Sequence, residues 1–451
     1  MSKGGPRVSQ QGDNTHDHQV AEPEYNWDGY AFDTRQVHAG EYEELTSGAR
    51  ISPIAMTAGY RFDSFDDAHG RFSGANSGLI YSRQRNPSGN VAEQRINSLE
   101  GGTEAIVVAS GQAAITASLL SIAASGDRIV STGSIYSGTR TLFGRSFKRF
   151  GIDVDYVWDE ADDAEWDRVI QPNTKAIFSE TIPNPKNDIV DIERVAGVAR
   201  RHGIPFVVDN TIASPYLIRP FEHGADIVVH SSTKFLSGHG AAISGTIVDG
   251  GTFDWAASDR SYPLITDAPA PGIPSLLERF GPTAYARATR EAVVNDIGPA
   301  LSPFNSFLLH QGIETLSLRM ERHLSNSLTI AEWLSRHPRV ETVDYAGLPG
   351  NPRYELAQRL YGGRSGSVFS VTIRDGAAGA RRFLDGLRVI SRMTNIGDTR
   401  SMALHPATTT HIGFTPELRT QLGIDEGLIR LSIGIEDVND LIRDLDQALA
   451  N

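Results

Sequence analysis

From about Arg95 onward, short apolar runs alternate with stretches of helical periodicity. Residues 105–110 (AIVVAS) read as a buried strand and 113–124 as the helix that follows. The next strands are expected at 128–133, 154–158, 175–180 (KAIFSE), 205–210 (PFVVDN) and 226–232 (DIVVHSS), with a helix over 192–201. These runs lack the apolar–polar alternation of a half-solvated strand. Strands covered on both faces and separated by helices predict an α/β unit around a mostly parallel sheet. Further on, 281–295 reads as helical, and one long helix is predicted over 308–337. It leads to a smaller α/β unit with strands near 368–373 and 429–433 and helices near 378–386 and 437–450. Before all this, 1–28 is polar and reads as a disordered tail. Residues 29–80 are irregular and suit an arm that wraps another subunit. The expected division is tail 1–28, arm 29–80, large unit 81–295 and C-terminal unit 296–451. Residues 261–274, rich in Pro and Asp, read as a surface loop. There is no internal repeat.

Composition changes this picture at a few points. A chain of 451 residues exceeds what one hydrophobic core serves, so at least two packed units are expected. A net charge of −13 argues against a nucleic-acid partner, which needs a basic face. Small anions remain possible ligands, because local dipoles and a few placed cations bind them. The absence of cysteine excludes disulfides, thiolate metal sites and cysteine nucleophiles. No run reads as a secretory signal or a membrane span, so no membrane association and a cytoplasmic location are expected. His230 reads as packed, and His405 and His411 have no third ligand, so no metal is expected. The only lysines are Lys3, Lys148, Lys175, Lys186 and Lys234.

Ligands of an open parallel sheet bind at the carboxyl ends of its strands. Three features lie there. Ser110-Gly111-Gln112 follows a strand and opens a helix, whose free N–H groups and positive dipole end suit a phosphate. A plain strand-to-helix turn explains it equally well. Asp209 ends the run VVD. It reads as a cap or turn residue, or as a counter-ion that keeps a pyridine nitrogen protonated. Ser231-Ser232-Thr233-Lys234 follows DIVVH, and a lysine among small residues at a strand end is not placed like a solvated charge. Hydroxyls there can hold a phosphate while the amine condenses with an aldehyde. Phosphate cradle, ring acid and amine together form a much more specific set than any one of them.

The set sits within YSRQRNPSG (81–89), LEGGTEAIVVASGQAA (99–114), ETIPNP (180–185), VVDNTIASP (207–215), GADIVVHSSTKFLSGHG (224–240) and IRLSIGIED (429–437). With these the chain resembles the Cys/Met-metabolism group of pyridoxal-phosphate enzymes from about Arg35 to its end. The resemblance implies fold type I, an aspartate-aminotransferase-like α/β architecture, with pyridoxal 5'-phosphate as cofactor. Lys234 would be the Schiff-base lysine and proton shuttle, and Asp209 the partner of the pyridine nitrogen. Ser110, Gly111, Gln112, Ser231 and Thr233 would hold the phosphate, and Tyr81 and Arg83 would reach it from a neighbouring subunit. Tyr136 would stack on the ring and assist proton transfer, with Thr211 behind Asp209. Arg430 would clamp the substrate carboxylate through its planar fork. Asn184, Asn395 and Tyr81 would join it at the substrate, Asn184 also bonding near the ring oxygen.

Segments 301–323, 394–411 and 427–437 resemble the branch that replaces the acyl group of O-acetylhomoserine by sulfide or a thiol. Asn395-Ile396-Gly397-Asp398 stands where the γ-synthases and γ-lyases of the family carry a Ser-Leu-Gly-Gly type segment. The O-succinyl sulfhydrylases, γ-synthases and γ-lyases are the alternatives. Lys234, Asp209, Tyr136 and Arg430 together count against a non-catalytic paralogue. A homotetramer of dimers with shared active sites is implied. The chain departs from the family pattern at Ser88, at Gln84-Arg85 and over 255–280, the last expected to border the active-site entrance.

Overall fold

A computed structural model describes Trp27, residues 29–41 and residues 48–450. Of the expected tail 1–28, residues 1–26 and 28 lie outside the described residues.

The large sheet has seven strands: β1 (Glu104–Val108), β2 (Arg128–Thr132), β3 (Asp153–Val157), β4 (Thr174–Glu180), β5 (Phe206–Asp209), β6 (Ile227–His230) and β7 (Gly245–Asp249). Their order is β1-β7-β6-β5-β4-β2-β3, and only β7 runs antiparallel to its neighbours. Strand β7, in the Gly- and Ser-flanked run SGTIVDG, is not among the strands expected from the pattern. The continuous apolar runs are explained by burial on both faces. Phe206 and Val208 pack into one core layer and Val207 into the other; Val228 and its neighbours Ile227 and Val229 divide in the same way. Each such side chain contributes about 1.5–3 kcal/mol by leaving water.

A second sheet is built from β8 (Val340–Asp344), β9 (Val368–Ile373), β10 (Ser391–Arg392), β11 (Met402–Leu404) and β12 (Leu428–Ser432), in the order β10-β11-β12-β9-β8. It is mostly antiparallel, with only β10 and β11 parallel. Helices Gly376–Gly386 and Val438–Leu449 cover it, close to where periodicity puts them. Among the described residues, no helix is long and apolar enough to cross a membrane.

Two expectations change. The single helix over 308–337 is two, Pro303–Ile313 and Leu316–Leu334. The break is held by Arg319, which donates to the carbonyls of Gly312 (2.6 Å) and Phe235 (2.7 Å). Gly312 itself lies so close to the loop after Lys234 that a Cβ there would stand 2.2 Å from the Ser237 carbonyl oxygen. The end of the first helix is thus a main-chain buttress for that loop.

The second change concerns 255–280. Its first part, 255–265, packs under the amino ends of the strands, opposite the end where ligands of such sheets bind. Ser258 donates to the Gly203 carbonyl (2.7 Å), Lys175 Nζ to the Ser261 carbonyl (2.6 Å) and Tyr262 to the Lys175 carbonyl (3.0 Å). Trp255, Tyr262 and Ile265 are buried in a core layer of the sheet. Of the expected surface loop 261–274, Tyr262 and Ile265 anchor the start in the core, and 267–274 are exposed as expected.

Candidate active site

A cavity of about 260 Å³ opens at the carboxyl ends of β4, β5 and β6. The large sheet contributes Ser110, Gly111, Gln112, Tyr136, Glu180, Asn184, Asp209, Thr211, Ser231, Thr233 and Lys234; the second sheet and its loops contribute Thr394, Ile396 and Arg430. Of the fourteen site residues expected from sequence, eleven line this one cavity.

The remaining three divide. Asn395 touches the site through Lys234, whose Nζ donates to its Oδ1 at 2.5 Å. Tyr81 and Arg83 lie outside this chain's cavity. Arg83 donates from Nε to the Asn295 carbonyl (3.0 Å) and lies over the Tyr81 ring, which is 42% exposed.

One wall of the cavity is the N-terminus of helix Gly111–Leu120. A helix leaves its first N–H groups unpaired. Ser110 Oγ accepts the one from Ala113 (3.1 Å), while Gly111 and Gln112 line the cavity. Gly111 is required sterically: a Cβ would stand 2.5 Å from that of Ser231. This contact brings the helix start against the loop after β6. In that loop the Ser231 N–H donates to Thr211 Oγ1 (2.7 Å), and Thr233 exchanges bonds with the main chain of Ser244. Small hydroxyl residues and free N–H groups thus converge at one place, the donor set an anion needs.

Asp209, the last residue of β5, is buried. Both of its donors, the N–H (2.9 Å) and hydroxyl (2.5 Å) of Thr211, reach Oδ1. Burial pushes its pKa up, against the Thr211 bonds and nearby His230. His230 is itself buried and paired with Glu100 at 2.6 Å, in keeping with its reading as a packed residue.

Lys234 has no carboxylate partner among the described residues. Burial, with the charge of Arg430 second, lowers its pKa to about 8. Arg430, on β12, is 2% exposed. Its Nη2 donates to the carbonyls of Thr394 and Asn395, both at 3.0 Å, so it fixes the loop whose Asn395 side chain meets Lys234. Its Nε is buried without an acceptor. A buried guanidinium with an idle donor beside an amine is a site for a carboxylate.

Sequence reasoning missed Glu180 as a site residue. It ends β4 as Asp209 ends β5, the two are register partners, and Glu180 Oε1 accepts the Tyr136 N–H at 2.7 Å. The signal was the same in both runs: a carboxylate closing an apolar strand.

Known proteins resemble this chain along nearly its full length. Residues 33–450 match the family described as Cys/Met metabolism PLP-dependent enzyme. The O-acetyl-L-homoserine sulfhydrylase of Corynebacterium glutamicum is 42% identical over 430 residues, 94% of this chain and 98% of that protein. O-acetyl-L-homoserine sulfhydrylase 1 of Thermus thermophilus is 42% identical over 93% of this chain and 100% of its own. Among solved structures, a Campylobacter jejuni protein assigned as O-acetylhomoserine (thiol)-lyase, with N'-pyridoxyl-lysine-5'-monophosphate, superposes with a TM-score of 0.89 at 36% identity, covering 94% of this chain and 100% of that one. Cystathionine gamma-lyase from Lactobacillus plantarum reaches 0.80 at 32%, covering 93% and 99%.

Proposed function

Because the chain belongs to the Cys/Met metabolism PLP-dependent enzymes, we propose that it replaces the acetoxy group of O-acetyl-L-homoserine by sulfide or a thiol, releasing acetate and homocysteine or, from methanethiol, methionine. The observation that carries this is the half-buried, carboxylate-free amine of Lys234 beside the idle Arg430 guanidinium, in a chain so similar to sulfhydrylases of that ester.

The residues present fit pyridoxal phosphate. The helix start at Gly111 and Gln112, with Ser110, Ser231 and Thr233, suits its phosphate; the open Oδ2 side of Asp209 suits its ring nitrogen; Lys234 suits its aldehyde. Tyr136 lies at the mouth, 41% exposed, where its ring can cover a flat group, and Asn184, which lines the same cavity, is read as a partner of the ring oxygen. When bound, the cofactor supplies an aldehyde for amines and a protonated ring that withdraws electrons from the substrate.

The chain's own groups supply the rest. Arg430 Nε, free of protein acceptors, takes the substrate carboxylate and orients the amino acid. Lys234, released by the substrate amine, takes the proton from Cα. A pKa of about 8 leaves a useful neutral fraction near neutral pH. The Cβ proton must leave as well before the Cγ–O bond breaks and acetate departs, and Tyr136 with Lys234 serves these transfers. Asn395 holds the Lys234 amine between them. Sulfide or a thiol then adds at Cγ, and protons return to Cβ and Cα.

Tyr81 and Arg83 complete the phosphate site of a neighbouring subunit in this reading. Support comes from their distance from the chain's own cavity and from the exposed apolar residues Met56, Phe65 and Phe72 before them. The assembly is read as a homotetramer of dimers in the cytoplasm, with 81–295 as the cofactor-binding unit and 296–451 as the C-terminal unit. The test is product mass after incubation with O-acetyl- or O-succinylhomoserine and sulfide, methanethiol or cysteine. Homocysteine from the acetyl ester and sulfide is expected at the highest rate. Preference for the succinyl ester, or for cysteine as acceptor, would replace this function by one of its family alternatives.

A further inference from the structure

Glu180 and Asp209 end neighbouring parallel strands as register partners, and both line the cavity. They are 5% and 8% exposed. Among the described residues neither forms an ion pair, although Lys234 and Arg430 line the same cavity. Two carboxylates this close, without a cation, do not both stay charged. The hydrogen bonds decide which one does. Asp209 receives an N–H and a hydroxyl from Thr211, and the His230 ring behind it also favours its charge. Glu180 receives one N–H, from Tyr136. Burial first, and the charge of Asp209 second, push Glu180 well above the usual carboxylate range.

We propose that Glu180 is a positioning residue that works as a neutral carboxylic acid: it anchors the Tyr136 main chain and leaves Asp209 as the single negative charge facing the cofactor ring. The loop from β2 to Tyr136 has a second tie, the Arg140 guanidinium donating to the Gly133 carbonyl. Glu180 fixes its far end, where the ring projects into the mouth. The titratable and charged groups facing the pair are Tyr136 from this loop, His230 from β6, Lys234 from the loop after β6, and Arg430 from β12. A neutral Glu180 adds no charge to this set.

The inference rests on the cofactor reading above, and not on the identity of the acyl donor. The experiment compares Glu180→Gln and Glu180→Ala with the wild-type holoenzyme by hydrogen exchange at the Tyr136 amide and by the visible absorption of the bound cofactor between pH 6 and 10. Gln keeps a neutral acceptor for the Tyr136 N–H. Glu180→Gln is expected to retain amide protection and to keep the wild-type absorption across the titration, since an amide and a neutral acid contribute the same charge. Glu180→Ala is expected to exchange the Tyr136 amide roughly tenfold or more faster, the scale of losing a buried acceptor. If Glu180→Gln matches Glu180→Ala in both measurements, a charged carboxylate is what the site needs and the proposal falls. It falls equally if Glu180→Ala behaves as wild type. A wild-type protein with no visible absorption overturns the cofactor reading instead, and the exchange arm still decides whether Glu180 anchors Tyr136.

Discussion

Strand β4 begins near Lys175 and ends at Glu180, and the two ends of the large sheet treat polar groups in opposite ways. At the amino end Lys175, Asp226 and Asp249 are each matched. Lys175 Nζ donates to the Ser261 carbonyl and pairs with Asp127 at 3.6 Å. Asp226 accepts the Phe206 N–H and the Thr252 hydroxyl, each at 2.9 Å. Asp249 accepts the N–H groups of Gly251 (2.8 Å) and Ala286 (3.0 Å). At the carboxyl end the matching is left unfinished. Lys234 has an amide oxygen and no acid, Arg430 Nε and Gln112 Oε1 have no partner, and both donors to Asp209 fall on one oxygen. Burying a polar group without a partner costs about 1–3 kcal/mol, so each of these idle atoms at the carboxyl end carries a penalty. In the proposed function, bound cofactor and substrate relieve it. Two lysines in one sheet then differ in kind: one is a strut and the other is proposed as the reagent.

The largest effect that sharpens this contrast comes from Lys234→Ala. Loss of the reagent amine is expected to remove the visible absorption of the lysine-linked cofactor and to cut turnover by about 10⁴-fold or more, the upper range for a positioned acid–base group. Absorption spectroscopy and steady-state rates check it. Retained absorption with retained turnover would make Lys234 no different from Lys175.

The second effect is a pH dependence. The pKa of the Lys234 amine is depressed, so below about pH 8 it is protonated and cannot attack an aldehyde. The rate at which cofactor-free protein takes up added pyridoxal phosphate should rise about tenfold per pH unit up to about 8 and then level. The neutral fraction follows that slope by definition of the pKa. Arg430→Met removes the second cause of the depression and should move the break upward in pH. A rise that continues unbroken to pH 10 would mean that burial does not depress this amine.

Much of the carboxyl end was legible in the sequence because strand ends announce themselves. An apolar run stopping at Asp209, or at the Ser231–Lys234 segment, puts its polar residue at the mouth of a parallel sheet. Glu180 carried the same signal. The amino end was not legible, because its matches join residues far apart in the chain: Lys175 with Ser261, Gly203 with Ser258, Asp249 with Ala286. No local pattern records such pairs. For the same reason 255–280 was expected at the active-site entrance, when its first part, 255–265, braces the opposite end. The break near Glu314 escaped periodicity as well, since the apolar pattern runs through it and the cause, Arg319 reaching Phe235, is tertiary.

The smallest effect tests the strut. Lys175→Met keeps the length and apolar stem of the side chain and removes the ammonium. The Ser261 carbonyl then loses its donor, while Asp127 keeps the Ala124 N–H at 2.8 Å and its partial contact with water. The expected cost is about 1–2 kcal/mol of stability, the scale of one charge-assisted hydrogen bond with a part-exposed ion pair. Denaturant unfolding of the cofactor-free protein measures it. Turnover of the folded protein should stay within about twofold, because nothing that Lys175 holds reaches the cavity, and ordinary substitutions remote from a site act through stability. A large fall in turnover at unchanged stability would show that the 255–265 brace does communicate with the carboxyl end, and the division into strut and reagent would then have to be drawn elsewhere than along β4.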